Sequence, residues 1–176
     1  MDDADLIGRI RNGESSLFAV LVRRHQGAVL SLIANLVHDR TQAADLLQDT
    51  FFSAYRKLAS FDPSRGTLLN WLYAIAKNNS LNHLKRTKVP VDFDFSETPG
   101  REDTEGEAAR REIFTILDTA LAALPVKDRT VFVLAEVRGL NLAEVAAIEG
   151  IRLGTVKSRL SRAKDKLRRI LKNVLE

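Results

Sequence analysis

The segment 141–171, NLAEVAAIEGIRLGTVKSRLSRAKDKLRRIL, contains two helical patterns separated by a short turn, and it constrains the fold more than any other part of the chain. Asn141 can accept a hydrogen bond from a free amide of the first turn, and Glu144 can bond back to complete a capping box. Gly150 supplies the left-handed backbone that ends this helix. Apolar residues at helical spacing then predict one buried face of a second helix. They are Val156, Leu160, Ala163, Leu167, Ile170 and Leu171.

A helix, a glycine turn and a second helix with a short basic face match the helix-turn-helix, whose second helix lies in the DNA major groove. The face opposite the apolar one comprises Lys157, Ser158, Ser161, Arg162 and Asp165. Between Ile151 and Lys172, nine lysines or arginines accompany a single acid. This density of positive charge favours contacts with phosphates. The alternative is a plain helical hairpin whose cations are only a solvated face.

The composition excludes several classes of protein. Hydrophobic residues make up 45% of the 176 residues, which excludes wholesale disorder, and no uninterrupted apolar run approaches the roughly 20 residues of a membrane span. The N-terminal sequence lacks the pattern of a signal peptide, so we expect a cytoplasmic protein that does not insert into a membrane. Because there is no cysteine and the three histidines lie in separate segments, we expect no metal site and no cofactor.

Three helical patterns predict a small N-terminal core. A first short helix is predicted to begin at an aspartate, Asp2 or Asp3, and to stop at an Asn-Gly pair. Residues 15–37 carry apolar side chains at helical spacing and predict a long core helix. Thr41 is predicted to cap a third helix, AADLLQDTFFSAYRKL. The buried side of this helix is predicted to comprise Leu47, Phe51, Ala54, Tyr55 and Leu58.

A non-helical stretch, SFDPSRGTLLNW, separates these helices from a fourth. Asp62-Pro63 disfavours helix and Gly66 supplies turn freedom. The fourth helix interleaves aromatic residues with amides and cations, which is the combination that stacking on unpaired bases and holding their backbone requires. Taken singly, Trp71 and Tyr73 favour core packing. For the basic cluster over 77–88, the alternative is solubility alone.

Residues 90–109, PVDFDFSETPGREDTEGEAA, lose the helical pattern. Seven acids accompany one arginine, and prolines and glycines are interspersed among them. This composition predicts a flexible acidic linker between two domains. The linker is either a simple tether or an acidic strand that occupies a basic channel in a partner.

Helical patterns resume over 113–124 and 128–138, and together with the helix-turn-helix they predict a four-helix C-terminal unit. The sequence therefore predicts an all-α protein of two small helical domains joined by a flexible acidic linker, with the helix-turn-helix in the second domain. We place the domains at 1–88 and 110–176 and the linker at 89–109.

Three segments, in this order, resemble bacterial RNA polymerase sigma factors of the extracytoplasmic function (ECF) group. AADLLQDTFFSAYRKL is similar to the polymerase-binding helix of sigma domain two, and FDPSRGTLLNWLYAIAKNNSLNHLKR to its promoter-melting segment. LPVKDRTVFVLAEVRGLNLAEVAAIEGIRLGTVKSRLSRAKDKL resembles sigma domain four. The resemblance covers nearly the whole chain, and the acidic linker falls between the two domains.

The resemblance implies roles for individual residues. The set that would grip the clamp helices of the largest polymerase subunit comprises Asp45, Leu47, Gln48 and Asp49. The set that would separate the minus-ten element and hold a flipped base comprises Phe61, Arg65, Asn70, Trp71, Lys77, Asn78, Asn82, Lys85 and Arg86. The set that would contact the minus-thirty-five element comprises Thr155, Lys157, Ser158, Arg159, Ser161, Arg162 and Lys164. Within the last set, Arg159 and Lys164 are expected to contact phosphates, which fix register without specifying sequence.

The resemblance implies an alternative sigma factor that binds core RNA polymerase, directs it to a subset of promoters and performs no catalysis itself. Its implied partners are core RNA polymerase, promoter DNA and an anti-sigma factor. The alternatives are a stand-alone helix-turn-helix regulator and a helical adaptor that binds only proteins. The first leaves the 61–86 segment and the acidic linker unexplained, and the second leaves the basic recognition face unexplained.

Overall fold

The computed structural model describes residues 1–87 and 115–175, with side chains up to residue 172. Within these ranges every regular element is a helix, which confirms the predicted all-α class. The acidic linker predicted at 89–109 and the domain boundaries beside it lie outside the described residues.

The N-terminal unit is built around one long apolar helix. Its four α-helices are α1 (Asp3–Arg11), α2 (Phe18–Val37), α3 (Arg40–Lys57) and α4 (Leu68–Thr87). Short 3-10 turns precede α2 and follow α3, at Ser15–Leu17, Leu58–Ser60 and Pro63–Arg65. The helix α2 packs against both α3 and α4, which also pack against each other. Its buried apolar residues are Leu21, Val29, Leu32, Ile33, Leu36 and Val37.

The stretch Ser15–Val37 is long enough, and with a mean hydropathy of 1.3 apolar enough, to cross a membrane. In this structure it contains the central helix of the N-terminal unit, and its apolar residues pack against neighbouring helices.

The start of α1 is confirmed as predicted, but the start of α3 is not. Asp2 accepts a hydrogen bond from the Asp5 amide at 2.8 Å, and the two side chains form a capping box. The helix α3 begins at Arg40 because the Asp39 carboxylate, rather than Thr41, accepts from the Gln42 amide at 2.9 Å. The preceding residue, His38, has a left-handed backbone with φ of 55°. This turn brings Asp39 into the cap position after a very short connection.

The C-terminal unit comprises a helix over 115–122 (α5), α6 (Val126–Phe132), α7 (Leu142–Glu149) and α8 (Leu153–Leu175). The helix predicted over 128–138 starts two residues earlier, directly after Pro125, and widens into a π turn at Val133–Val137. In this turn the Arg138 amide donates to the Val133 carbonyl five residues back, at 2.9 Å. Hydrophobic periodicity does not distinguish this wider turn from ordinary α-helix, so it could not be predicted from the residues.

The helix-turn-helix is confirmed in detail. The Asn141 side chain accepts from the amides of Ala143 and Glu144, at 3.0 and 2.9 Å, and the Glu144 carboxylate accepts from the Asn141 amide at 3.0 Å. Gly150 adopts φ of 66° and ends α7. On the predicted apolar face of α8, the first four residues are buried and the last two half-buried. The four buried residues are Val156, Leu160, Ala163 and Leu167.

The two units are in contact in this structure. Buried apolar residues of α6 and α7, such as Val131 and Ile148, continue the core of the N-terminal unit. The closest packing between the units joins α4 to α7. A second, smaller core lies between α5 and α8 and comprises Ala120, Leu121, Leu124, Ala163 and Leu167.

Candidate polymerase and promoter interfaces

An apolar groove runs between α2 and α3 on the surface of the N-terminal unit. It has a volume of about 760 Å³. Of the residues predicted to bind polymerase, Leu47 and Gln48 line it, while Asp45 and Asp49 are exposed on the same helix. Two aromatic side chains of the groove are unusually open to solvent, Phe52 at 63% and Tyr55 at 44%.

The sequence predicted Tyr55 on the buried side of α3. This prediction is wrong, because Tyr55 is 44% exposed. Leu46 is buried instead, and the Tyr55 ring packs at the groove edge-on to Phe18, with centroids 5.0 Å apart. The Arg56 guanidinium lies 5.7 Å above the exposed Phe52 ring. Phe51 is buried while its neighbour Phe52 is exposed, and the residue pattern of α3 did not predict that this second ring lies at the groove.

The loop between α3 and α4 is held by its own side chains. The Asp62 carboxylate accepts from the Ser64 amide at 2.9 Å and the Ser64 hydroxyl at 2.7 Å, and these hydrogen bonds lower the pKa of Asp62. Gly66 has φ of 144°, a value that few other residues adopt. The Thr67 hydroxyl then accepts from the Asn70 amide at 3.1 Å and caps α4. The loop is ordered rather than a free connection.

This loop forms one wall of a cleft of about 390 Å³, which we call the loop cleft. Four residues predicted to act on the minus-ten element line it: Phe61, Arg65, Asn70 and Trp71. The Phe61 and Trp71 rings lie 5.4 Å apart. Ala147 and Ile148 of α7 also line the cleft, so the C-terminal unit covers part of its mouth.

Of the five remaining minus-ten candidates, four are exposed and one is buried. Asn78, Asn82, Lys85 and Arg86 are exposed along α4. Lys77 is only 6% exposed because its ammonium donates to the Ile148 carbonyl at 3.0 Å and lies 3.7 Å from the Glu149 carboxylate.

Lys77 and Asn70 belong to a polar network between the two units. The Asn70 amide donates to Glu144 at 2.9 Å in the first turn of α7, whereas Lys77 contacts the last turn. The Glu149 carboxylate lies between Lys77 and Arg159. It accepts a hydrogen bond from the Arg159 guanidinium at 3.0 Å. The side chains of Lys77, Glu149 and Arg159 are each at least 85% buried. Residues predicted to contact promoter DNA thus contact α7 in this conformation.

The predicted recognition face of α8 is largely open to solvent. Its exposed members are Lys157, Ser158, Ser161, Arg162 and Lys164, while Thr155 is half-buried and the Arg159 side chain is only 15% exposed. Besides Arg159, two of the cations are paired within the unit: Arg162 with Asp128 at 3.0 Å and Lys164 with Glu136 at 2.7 Å. The hydrogen bonds that Arg162 donates to the Asp128 carboxylate raise the pKa of Arg162.

Comparison with known proteins decides the family. Residues 21–89 match the Sigma-70 region 2 family and residues 114–167 the Sigma-70 region 4 family. The RNA polymerase sigma-H factor of Pseudomonas aeruginosa is 33% identical, over 98% of this chain and 95% of that protein. The ECF RNA polymerase sigma-E factor of Escherichia coli is 32% identical, over 94% of this chain and 92% of that protein. The chain is an ECF sigma factor.

Solved structures of ECF sigma factors agree with this assignment. CnrH, solved in complex with the cytosolic domain of CnrY, superposes with a TM-score of 0.73 at 29% identity, over 97% of both chains. RpoE of Bartonella quintana, solved with the anti-sigma factor NepR, gives 0.71 at 25% identity, over 88% of this chain and 96% of that one. Sigma factors are transcription initiation factors, so the function class inferred from the sequence is confirmed.

Proposed function

We propose that this ECF sigma factor binds core RNA polymerase and directs it to a subset of promoters in the cytoplasm. The N-terminal unit would bind the polymerase clamp helices and open the minus-ten element, and the C-terminal unit would read the minus-thirty-five element. The factor would perform no catalysis: binding to the unpaired strand shifts the duplex-opening equilibrium, while polymerase carries out the chemistry. The domain ranges 1–88 and 110–176 remain part of this proposal.

The loop cleft is the observation that carries the proposal. Extruding a base from a duplex costs a few kcal/mol, so a protein that holds it must supply stacking and hydrogen bonds. The cleft offers the half-buried Trp71 ring, which packs against the buried Phe61 ring, for stacking, and it offers Arg65 and, once released from Glu144, Asn70 as hydrogen-bond donors. A stand-alone helix-turn-helix regulator reads intact duplex and has no use for such a cleft. The exposed cations of α4 and α8 supply the phosphate contacts that either function needs.

The apolar groove supports the two protein partners. Phe52 and Tyr55 expose large rings there, which is unusual unless another protein covers them. The groove is lined by Leu47 and Gln48, two of the residues predicted to bind polymerase. Two structural relatives were solved with CnrY and with the anti-sigma factor NepR. We propose that core polymerase and an anti-sigma factor compete for this groove.

Transcription in vitro tests the proposal. Purified chain, core polymerase and genomic promoter fragments are combined, and duplex binding by the chain alone is measured in parallel. Specific transcripts are expected only when both proteins are present. Tight, specific duplex binding by the chain alone, without association with polymerase, would show a stand-alone regulator instead. A template with an already unpaired minus-ten element should be transcribed more readily than its duplex counterpart.

A further inference from the structure

Arg11, in the last turn of α1, reaches across to the loop that leads into the loop cleft. Its Nη2 atom donates to the backbone carbonyls of Leu58 at 2.8 Å and Phe61 at 2.5 Å, and more weakly to that of Ala59 at 3.3 Å. The Sigma-70 region 2 match begins at residue 21, so Arg11 lies outside it. No sequence pattern singled out this residue.

The three carbonyls differ in their other partners, since that of Leu58 also accepts from the Phe61 amide at 3.2 Å. They lie where α3 ends and passes into the 3-10 turn Leu58–Ser60, and the last carbonyls of a helix have no partner within it. Aligned peptide dipoles also give this end a partial negative charge. The Nη2 atom carries two N–H donors and shares the permanent positive charge of the guanidinium, so it can bond two of these clustered oxygens and attract the third. The apolar side of α1, with Leu6, Ile7 and Ile10 buried, fixes where Arg11 can reach.

The same contact fixes a wall of the loop cleft. Phe61 is 7% exposed, and its ring lies 5.4 Å from Trp71. Because Arg11 binds the Phe61 carbonyl, it sets the backbone that carries this ring. Its charge also offsets the negative carbonyls beside a cleft that must accept a polyanionic strand.

We propose that Arg11 is a positioning residue for the loop cleft: it holds Phe61 against Trp71 so that the cleft is preformed for an unpaired base. This inference rests on the proposed function. Without Arg11 the carbonyls of Leu58 and Phe61 turn toward water, and the Phe61 ring loses its fixed position. A strand entering the cleft must then order the loop as it binds, which lowers its affinity for the held base.

The test uses holoenzyme assembled from core polymerase and the full chain. Affinity is measured for single-stranded minus-ten oligonucleotides of a promoter found by the transcription experiment, each with one base replaced by an abasic site. The penalty at a position is the factor by which an abasic site there lowers the affinity. For wild type, one position should show a large penalty and thereby identify the held base. Arg11→Ala should reduce that penalty about tenfold, because one base stack is lost. Trp71 is the only tryptophan of the chain, so its emission should also shift in the free protein.

Arg9→Ala is the matched control, since Arg9 lies in the same turn and pairs with Glu14 at the surface. It should keep the wild-type penalty. Should Arg11→Ala fail to fold, Arg11→Gln replaces it, because the shorter, uncharged amide cannot reach all three carbonyls. Equal weakening on intact and abasic strands would leave the penalty unchanged and overturn the positioning role. Absence of any penalty in wild type would instead refute the proposed function of the cleft.

Discussion

The Arg162 guanidinium lies on the exposed face of α8 and also bonds to α6. Its Nη2 and Nε atoms contact the two carboxylate oxygens of Asp128 at 3.0 and 3.3 Å. The Arg162 side chain is 59% exposed, whereas that of Asp128 is 11% exposed. Asp128 therefore holds the Nε and Nη2 edge of the guanidinium. The rest of the Arg162 side chain is accessible to a base edge. Loss of Arg162 would also leave a nearly buried carboxylate without its cation.

Arg162→Ala should reduce discrimination between promoters that differ in the minus-thirty-five element by about tenfold, which is the worth of a good base contact. Transcription from paired promoter variants measures this. Asp128→Asn separates the two roles, because it removes the ion pair and leaves the guanidinium free to contact a base. If Asp128→Asn abolishes discrimination as fully as Arg162→Ala does, the pair rather than the base contact is responsible.

His38 is a second residue whose chemistry is set by its surroundings. Burial, and then the positive charge of Arg129, lower the pKa of His38 from 6.5 to about 4. Burial also lowers the pKa of Arg129, to about 10. His38 belongs to the N-terminal unit and Arg129 to the C-terminal unit. The contact between the units is thus maintained with a neutral imidazole.

Stability should fall as the pH drops from about 6.5 to about 4, because the unfolded chain takes up a proton on His38 that the folded chain does not. His38→Asn keeps a residue that tolerates the left-handed backbone and removes this titration. Urea unfolding across the window should show a shallower loss for the variant. Asp118, whose pKa burial raises, titrates in both proteins and does not affect the difference. Parallel curves would contradict the assignment.

At the scale of elements, α8 serves the core and the recognition face at once. Val156, Leu160 and Ala163 point inward and are at most 9% exposed. The polar residues between them that are open to solvent are Lys157, Ser158, Ser161 and Arg162. The capping box and Gly150 fix where α7 begins and ends, and therefore the angle at which α8 leaves the turn. Packing and the proposed DNA readout should consequently be separable by substitution on the two faces of one helix.

Leu160→Ala should destabilise the chain by about 2–5 kcal/mol, since it leaves a cavity where the side chain was. Thermal and urea unfolding of the full chain measure the loss. Ser161→Ala is the neighbouring control on the exposed face, and it should change stability by no more than about 0.5 kcal/mol. A Leu160→Ala protein that melts like wild type would show that this face is not packed.

At the scale of the whole molecule, α7 lies over residues predicted to contact the promoter. Asn70 bonds to Glu144, and Lys77 to Ile148 and Glu149, so carboxylates and a carbonyl occupy donors that would otherwise face a nucleic acid. For these donors to contact DNA, α7 must move away from α4. The polar partners can be hydrated when the units part, whereas the apolar residues that α6 and α7 add to the N-terminal core oppose separation.

Glu149→Gln should loosen the contact between the units. The substitution leaves Lys77 and Arg159 buried without their carboxylate, and breaking a buried pair in this way costs about 3–5 kcal/mol. Separation of the units relieves that cost. We expect a larger radius of gyration in X-ray scattering and red-shifted Trp71 emission, since α7 no longer covers the loop cleft. Glu136→Gln, at an exposed pair, is the control and should leave both unchanged; unchanged values for Glu149→Gln would refute the role of the network.

Much of the fold could be predicted because it depends on local chemistry. The capping box at Asn141, the turn at Gly150 and the buried face of α8 all follow from residues three or four positions apart. The errors lie where a tertiary contact or a neighbouring turn decided the outcome. Asp39 replaced Thr41 as a cap after the turn at His38, and Tyr55 lies at a groove rather than in the core. The site residues stay predictions, although the structure shows which of them lie together.

The sequence by itself determined the all-helical class, the helix-turn-helix and the family, because periodicity, caps and motifs are properties of short segments. Only the tertiary structure decided that Phe61, Asn70 and Trp71 line one cleft and that Arg11 holds its wall. It also decided that Lys77 is covered by α7, 71 residues away along the chain. Such contacts depend on how packed helices meet in space. No local pattern of residues specifies a contact between residues that lie so far apart in the chain.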